Sequence, residues 1–510
     1  MPTLDSYDAI PYESVPITET HVEGLAALGR LFGVPTADPQ RCRVLELGCA
    51  EGGNLIPMAF YLPGSRFVGL DLSKGQIAAG QRLVDALGLA NVALLHRDVM
   101  HPTYDLGPFD YIIAHGLYSW VPAPVQARVL EICARQLAPG GIAYVSWNAL
   151  PGWHTRAVMR DMLLAHTRGL TDPAERLQAA YQFLEEYGPG LAEEAGDLAG
   201  ILAAEVAYLR QAPPSYLYHE YLVETNTPQL FGDFVAQAAR QGLRYVADVD
   251  LYTLMPHTLG RAGQAAVAGI KDRLARIQAM DFLRARRFHR SLLTHAATPV
   301  MDAPDLDAFR GLAFHADLAS EAEIDLGSTE RQAFTTPTGA RYAVAHPLTK
   351  AALMWLASNY PSSVDYAGLY TAAAELVAEY ADADTAGDEP AFLQELLDLV
   401  AWGAVKPAVT AQAYSVAPDE RPRAHALARA QIALGADCVA SIRHTAVHLD
   451  APAARLLGLL DGRHDLEALT QAMQPLLPVE YAQAAREGCE RMLWTFARQG
   501  LLTGTVESPG

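Results

Sequence analysis

Short apolar runs alternate with amphipathic segments through the first third of the chain. A short apolar run bounded by turn residues is typical of a buried strand, and apolar residues three or four positions apart are typical of a helix. Helices are accordingly predicted from residue 55, over 74–87 and over 125–137. Alternating strands and helices with short links form a parallel sheet with right-handed crossovers. We predict a doubly wound α/β domain whose strands lie at residues 43–47, 66–71, 92–95, 109–114 and 142–147.

Further elements flank this domain. Thr20-His21-Val22-Glu23 has the sequence of a capping box, and apolar residues at helical spacing follow it as far as Gly33. Residues 138–141 predict a turn before the fifth strand. Residues 155–210 predict helices with a loop near 188–190. Beyond them the pattern predicts a helix over 228–242, a strand over 243–249 and helices again over 257–295.

The pattern changes after residue 300. Strands are predicted within 309–319 and 331–344, with a hairpin turn at 336–339 and helices over 349–358, 366–380 and 389–402. A hairpin beside helices indicates a winged-helix-like module, and the acidic residues of these helices favour protein recognition over DNA binding. Residues 411–425 are predicted as a linker, followed by helices over 452–460 with Asp450 as the cap, 465–473 and 480–499.

A glycine-rich turn follows the first predicted strand. Gly48 and Gly52 allow a ligand to approach the backbone, and the next helix directs its N–H groups at that ligand. A dinucleotide fingerprint needs glycine at position 50, which is alanine, and the Gly-Lys-Ser/Thr of a phosphate loop is missing. Glu46 suits a ligand ammonium, and the helix start suits a ligand carboxylate. The turn therefore favours S-adenosylmethionine.

Carboxylates also follow the second and third predicted strands. Asp71 lies 23 residues after Gly48, where it can accept hydrogen bonds from both hydroxyls of a ribose. Asp98 can accept from an adenine amino group while Val99 packs on the ring. Three acidic residues in this order strengthen the prediction of the cofactor. The predicted cofactor-binding residues are Tyr12, Glu46, Gly48, Cys49, Gly52, Asn54, Asp71, Leu72, Asp98, Val99 and His115.

Through residues 46–52, Gly69-Leu70-Asp71 and Asp98 the chain resembles the class I S-adenosylmethionine-dependent methyltransferases. Residues 7–12, 146–153 and 218–222 are similar to a bacterial subfamily with a methyltransferase regulatory region, which includes the rickettsial-type protein lysine methyltransferases. The resemblance implies a Rossmann-like domain, a protein lysine as acceptor and a homodimer paired through the region after the catalytic domain. No metal is expected, because methyl transfer does not require one and the sequence shows no clustered metal ligands. The predicted domains are the methyltransferase domain at 1–165, a helical regulatory and dimerisation region at 166–298, a winged-helix-like domain at 299–415 and a C-terminal helical domain at 420–510.

The methyl-transfer position is expected where the fourth and fifth strands end, because ligands bind at the carboxyl ends of such strands. His115 can act as a base or pack on adenosine, and Tyr118 and Trp120 can bind a cation through their rings or pack under the next loop. Glu220 can orient an ammonium, although a structural salt bridge is favoured. Tyr7 and Tyr12 can form a lid or simply pack the N-terminal arm. The predicted catalytic residues are His115, Tyr118, Trp120 and Asn148.

Composition and charge restrict the remaining possibilities. The net charge of −20 disfavours a nucleic-acid partner and suits cationic substrates. The basic segment 284–290 can bind phosphate, but a solvated helix face paired with acidic neighbours is favoured. Five cysteines without a Cys-x-x-Cys pattern fit a reducing cytosol, and no signal pattern or membrane span is found. We predict a cytoplasmic enzyme. The alternatives are a methyltransferase for a small amine or peptide, and a non-catalytic scaffold that binds S-adenosylmethionine.

Overall fold

The computed structural model describes residues 9–101, 106–194, 196–380, 388–476 and 484–504. Its central sheet contains β1 (Arg43–Leu47), β2 (Arg66–Asp71), β3 (Val92–His96), β4 (Phe109–Ala114), β5 (Leu137–Asn148), β6 (Leu243–Asp248) and β7 (Phe288–His295). The strand order is β3-β2-β1-β4-β5-β7-β6, with β1 to β5 parallel and β7 antiparallel to both of its neighbours. The order reverses between β1 and β4, which places a ligand crevice at their carboxyl ends. The predicted doubly wound fold is confirmed.

Both faces of the sheet are covered by apolar layers. Val44 of β1 lies in one apolar cluster, and its neighbour Leu45 lies in the cluster on the opposite face. A parallel sheet that is buried on both faces needs such continuous apolar runs, which is why the strands are evident from the sequence. The covering helices are Val22–Leu31, Leu55–Tyr61, Lys74–Leu87, Ala123–Gln136, Phe231–Arg240, Arg261–Val267 and Arg273–Arg284.

The prediction of helices over 257–295 is wrong for its last part, which forms β7 and pairs with β5. The basic segment is therefore not a solvated helix face. Arg286 and His289 are buried and contact the carboxylates of Asp248 and Asp281. Pairing with acidic neighbours is confirmed, but the ion pairs are buried in the protein instead of exposed on a helix. The end of the region predicted as helical thus supplies one strand of the central sheet, beside the correctly predicted β6.

Three local predictions are also corrected. The first helix is capped by His21, whose Nδ1 accepts from the backbone N–H of Glu23, and not by Thr20, which is buried. Residues 138–141 do not form a turn but continue β5, with a register shift against β4 that absorbs the glycines. The expected loop at 188–190 is the first turn of a helix, a position where proline is tolerated.

Helices after β5 pack around an apolar cluster of their own. The chain leaves this layer through a π-helical turn, Tyr218–Leu222. Such turns are rare and occur frequently at functional sites. The helices of this layer are His154–His166, Pro173–Glu186, Gly188–Glu194, Ala199–Gln211 and Pro214–Leu217.

The second half of the chain adds two modules. The first contains β8 (Ala313–His315), β9 (Ala319–Ser320), β10 (Gln332–Thr335), β11 (Arg341–Val344), β12 (Val364–Asp365), β13 (Lys406–Ala408) and helices Pro347–Asn359, Tyr366–Ala378 and Glu389–Ala401. The second contains β14 (Arg423–Ala424), β15 (Cys438–Ala440), β16 (Ala446–His448), β17 (Leu502–Thr503) and helices Ala426–Ala433, Ala451–Leu459, Leu466–Met473 and Ala485–Arg498. The predicted hairpin of β10 with β11 and the cap at Asp450 are confirmed. Among the described residues, no helix combines the length and apolar character that crossing a bilayer demands.

Candidate functional site

The glycine-rich turn after β1 has the backbone shape that its sequence predicts. Gly48 and Gly52 have φ angles of +75° and +76°, in the left-handed region that glycine adopts freely. Ala50 also lies there, with φ of +49°. The N–H of Gly48 donates to the carbonyl of Leu70 at 2.8 Å, which ties the turn to the end of β2. A Cβ added to Gly48 would meet only Leu117, at 3.6 Å, so the turn faces the loop after β4.

Glu46 is buried at the end of β1 with its two oxygens in different situations. Oε1 accepts a hydrogen bond of 2.8 Å from Nδ2 of Asn54. Oε2 is buried without a hydrogen-bond partner among the described residues. Burial raises the pKa of Glu46 to about 8, against the lowering effect of the bond from Asn54. A buried, unsatisfied carboxylate oxygen is costly, so Oε2 is ready to accept a bond from a cationic ligand.

Asp71 stands at the end of β2 and braces the glycine turn. Its Oδ2 accepts from the N–H of Ala50 at 2.8 Å, and its Oδ1 accepts from the N–H of Ser73 at 2.8 Å. A carboxylate offers about four lone-pair sites, so this role is compatible with accepting from a ribose. The side chain thus lies at the crevice, as predicted, and also helps to shape it.

The adenine-binding candidates follow β3. Asp98 is exposed, and its Oδ1 accepts from the N–H of Met100 at 2.8 Å. Val99 is half-buried, while 45% of Leu72 is exposed. These residues lie at the adjacent ends of β2 and β3, where the doubly wound fold places an adenosine. Their roles in binding stay predictions.

An N-terminal arm, residues 9–17, lies across the glycine turn. Oγ of Ser14 accepts from the N–H of Gly53 at 2.9 Å, and the N–H of Ile17 donates to Oδ1 of Asn54 at 3.0 Å. A Cβ on Gly53 would lie 1.9 Å from the carbonyl oxygen of Ser14, so this glycine is required by the arm. The N–H of Gly53 is thereby engaged by protein, whereas the helix start was expected to receive a ligand carboxylate.

Tyr12 belongs to the same arm. Its side chain is 40% exposed, and its ring centroid lies 5.5 Å from that of His219. His219 in turn contacts the carbonyl of Ile10 through Nε2 at 2.6 Å. The arm therefore connects the cofactor turn with the π-helical turn. Tyr7, the other candidate for a lid, lies outside the described residues, and the lid stays a prediction.

His115 lies in the loop after β4, with Nδ1 at 2.8 Å from the hydroxyl of Tyr144. Burial, reinforced by the positive charge of Arg290, lowers the pKa of His115 to about 4. The imidazole is therefore neutral at pH 7, but it is a weak base. This environment suits a positioning or packing role better than proton abstraction.

The other three catalytic candidates are buried and have protein partners. The hydroxyl of Tyr118 donates to Gln237 at 2.9 Å, and its ring packs edge-on against Phe234. Nδ2 of Asn148 donates to Oδ1 of Asn226 at 3.0 Å. The third, Trp120, packs edge-on against Trp153 at 6.0 Å. These contacts match ordinary packing, and the catalytic roles stay predictions.

The cysteines are free, and Cys49 fills space beneath the turn, since a Cβ added to Gly69 would lie 2.6 Å from its Sγ. Possible metal ligands come together in one described group, Glu13, Cys438 and His448, within 4.8 Å of one another. Burial raises the pKa of Cys438 to about 11, which disfavours the thiolate that a metal ion requires.

Sequence reasoning missed His444, which reaches this site from the second module. Its Nε2 lies 2.7 Å from Oδ1 of Asn54, the residue that also holds Glu46. The two partners are 390 positions apart, so no local pattern signals the contact.

The chain matches three family models in order: a methyltransferase domain over 44–141, a predicted methyltransferase regulatory domain over 213–295, and a PKMT C-terminal winged helix domain over 420–490. Protein RP028 of Rickettsia prowazekii is 34% identical over 236 residues, covering 46% of this chain and 94% of RP028. Protein RP789 of the same organism is 37% identical over 289 residues, covering 57% of this chain but only 52% of RP789.

A solved structure, PKMT2 from Rickettsia typhi, superposes with a TM-score of 0.84 and 25% identity over 97% of this chain and 100% of PKMT2. PKMT2 has also been solved in complex with AdoHcy. Fold and site thus define a class I methyltransferase that uses S-adenosylmethionine. Within that class, the chain belongs to the family whose methyltransferase domain is followed by a methyltransferase regulatory domain. The unsatisfied Oε2 of Glu46 fits the ammonium of this cofactor.

Proposed function

We propose that this protein transfers methyl groups from S-adenosylmethionine to lysine side chains of proteins. The observation that carries the proposal is the likeness to PKMT2, because it extends through 97% of this chain and so includes the modules beyond the methyltransferase fold. The winged-helix match over 420–490 supports the same relationship.

The residues at the crevice support a mechanism based on positioning. When bound, S-adenosylmethionine would supply a sulfonium methyl group whose carbon an uncharged amine can attack in line, with the thioether sulfur as the leaving group. In this proposal Glu46 holds the ammonium of the cofactor and Asp71 holds its ribose. A lysine amine has an unperturbed pKa of about 10.4, so the acceptor must lose a proton before attack. Because His115 has a pKa of about 4, we assign the main contribution to orientation and desolvation instead of a strong base.

Glu220 is our candidate for contacting the acceptor ammonium. The salt bridge expected for it does not form among the described residues, since Arg156 pairs with Glu205 at 3.6 Å and Arg160 donates to backbone carbonyls. Burial raises the pKa of Glu220 to about 7, against the opposing influence of Arg156 and Arg160. Its charge also reaches Tyr12, whose pKa is raised by burial and by Glu220. A carboxylate without an ion pair beside an aromatic ring suits a cationic amine.

The direct test is methyl transfer by the full chain. We expect label from S-adenosylmethionine to enter lysine residues of proteins in a bacterial lysate and of a lysine-rich peptide. Label in small molecules or free peptides alone would favour the alternative acceptors. Binding of S-adenosylhomocysteine without transfer to any amine would instead indicate a non-catalytic scaffold.

Asp71→Ala tests the cofactor site separately. We expect it to weaken S-adenosylhomocysteine binding by about 1–3 kcal/mol, because bonds from two ribose hydroxyls are lost. Isothermal titration measures the Kd, and circular dichroism checks that the braced turn still folds. An unchanged Kd would remove Asp71 from the site.

Glu220→Gln tests the acceptor site. We expect a higher KM for the lysine peptide with an unchanged Kd for S-adenosylhomocysteine. The matched control is Glu224→Gln, because Glu224 is exposed, lies four positions further along the chain and accepts from Arg160 through its backbone carbonyl, as Glu220 does. Equal KM values for wild type and Glu220→Gln would exclude the contact.

We further propose a homodimer in a bacterial cytoplasm. Large apolar side chains are exposed on the helical layer after the catalytic domain, which is where the family resemblance implies pairing: Tyr187, Leu198, Ile201 and Tyr208. Free cysteines fit a reducing compartment, and the relatives RP028 and RP789 are bacterial.

A further inference from the structure

The amide of Asn54 is the meeting point of three distant parts of the chain. Its Oδ1 lies 3.0 Å from the N–H of Ile17, 3.0 Å from Oγ1 of Thr20 and 2.7 Å from Nε2 of His444. Its Nδ2 donates to Oε1 of Glu46 at 2.8 Å. The N-terminal arm, the C-terminal module and the cofactor carboxylate are therefore connected through one side chain.

The direction of each hydrogen bond follows from the donors present. The N–H of Ile17 requires an acceptor, so Oδ1 of Asn54 faces it and Nδ2 faces Glu46. Burial, with a contribution from His21, holds the pKa of His444 well below its usual value. The neutral imidazole must then carry its proton on Nε2 in order to donate to Oδ1. The contact is therefore a buried hydrogen bond in which Nε2 of His444 donates to Oδ1 of Asn54.

The backbone of His444 is held in place for this contact. It lies in the turn between β15 and β16, with φ of +55°, a left-handed conformation that is uncommon outside glycine. Its N–H donates to the carbonyl of Ser441 at 3.0 Å, and its carbonyl accepts from Oγ1 of Thr18 at 2.9 Å. Only 2% of the residue is exposed. The C-terminal module thus presents one imidazole to the cofactor site in a fixed orientation.

We propose that His444 is a positioning residue for cofactor binding, which acts through Asn54 to aim the free oxygen of Glu46 at the ligand ammonium. Without the bond from His444, Oδ1 of Asn54 keeps only Ile17 and Thr20 as donors, so the amide that donates to Oε1 of Glu46 is held less firmly. The carboxylate then no longer presents Oε2 in one orientation. Cofactor affinity therefore depends on the seating of the C-terminal module. This inference rests on the proposed function only in assuming that S-adenosylmethionine binds at Glu46.

The test measures S-adenosylhomocysteine binding by the full chain in isothermal titration. We expect His444→Ala to raise the Kd about fivefold, the size of one lost hydrogen bond, and His444→Gln to restore most of it, because the amide of glutamine can occupy the position of Nε2. The matched control is His464→Ala, in the same module and 41% exposed at its side chain, which should leave the Kd unchanged. In turnover, the KM for S-adenosylmethionine should rise with little change in kcat.

A double-mutant cycle separates positioning from general destabilisation. In the Asn54→Ala background, His444→Ala should have no further effect on the Kd, because the connection is already broken. If His444→Ala folds poorly, His444→Gly replaces it, since glycine accepts the left-handed backbone. A wild-type Kd in either variant, or an equal loss in the Asn54→Ala background, would overturn the proposal. Failure of the wild type itself to bind S-adenosylhomocysteine would instead overturn the cofactor assignment, and this inference with it.

Discussion

Glu46 shows how one carboxylate can be held and yet remain available. Oε1 is fixed by Asn54, whereas Oε2 is buried without a partner among the described residues. A buried charge in this situation is unfavourable, so burial raises the pKa of the Glu46 carboxyl to about 8. A cationic ligand reverses this preference, because the ammonium stabilises the ionised form.

Cofactor affinity should therefore depend on pH near neutrality. Below pH 8 the Glu46 carboxyl is mostly protonated and must lose its proton when the ammonium binds. We expect the Kd for S-adenosylhomocysteine to fall about tenfold or more between pH 6.5 and pH 8 and then to level off. Titration calorimetry at several pH values measures this. Glu46→Gln, which cannot ionise, should bind weakly with a nearly flat profile, and a flat profile in the wild type would contradict the expectation.

Among the elements, β7 depends on a buried ionic cluster. Nη2 of Arg286 lies 3.0 Å from Oδ1 of Asp248, and the two nitrogens of His289 contact Asp248 at 2.6 Å and Asp281 at 3.0 Å. The pKa of Asp248 is lowered: burial opposes the ionised form, but the charges of Arg286 and His289 outweigh it. The cluster connects β6, β7 and the helix Arg273–Arg284, which contains Asp281.

Arg286→Met should destabilise the protein by about 3–5 kcal/mol, because it leaves two buried carboxylates without their cation. Urea denaturation at pH 7 measures the free energy of unfolding. The control is the exposed neighbour Arg287, and Arg287→Met should change the free energy of unfolding by less than about 0.5 kcal/mol. Since the pKa of Asp248 is lower in the folded state, its contribution is complete above the unfolded pKa of about 3.8 and is lost as the pH falls. Equal stabilities of the two variants would show that the cluster is dispensable.

The ends of helices and strands were predicted correctly where the spacing of apolar residues along the sequence is sufficient to define them. The helix predicted over 74–87 is Lys74–Leu87, and the strand predicted over 109–114 is Phe109–Ala114. The prediction failed at β7, because Arg286 and His289 are polar and look solvated in a linear pattern. Their acidic partners Asp248 and Asp281 are brought to them only by the folded chain.

At the scale of the whole molecule, the modules are packed as one body around the methyltransferase sheet. The apolar cluster on one face of the sheet continues into the first module of the second half of the chain. Oε2 of Glu23, from the first helix, accepts from the N–H groups of Val409 and Thr410. His444, from the second module, contacts Asn54 at the cofactor site. The later modules are thus part of the support of the catalytic domain.

Pairing of two copies through the helical layer is our expectation at this scale. Ile201 and Leu198 are 43% and 48% exposed, and burial of such side chains stabilises dimers. We expect light scattering after gel filtration to give twice the chain mass of 55.0 kDa, and Ile201→Glu to shift the protein toward the monomer. Trp494→Glu, at an exposed residue of the C-terminal module, is the control that should stay dimeric. A wild-type monomer would exclude the pairing.

The linear pattern of residues was sufficient to predict the α/β class, the glycine turn and the acidic residues at the ends of β1, β2 and β3. These depend on spacing within one strand–turn–helix unit, which a linear pattern records. Three features became evident only in the folded chain: β6 and β7 complete the sheet, Ser14 packs against Gly53, and His444 contacts Asn54. Such contacts join residues tens or hundreds of positions apart, and only the packing of the apolar faces brings them within hydrogen-bond distance.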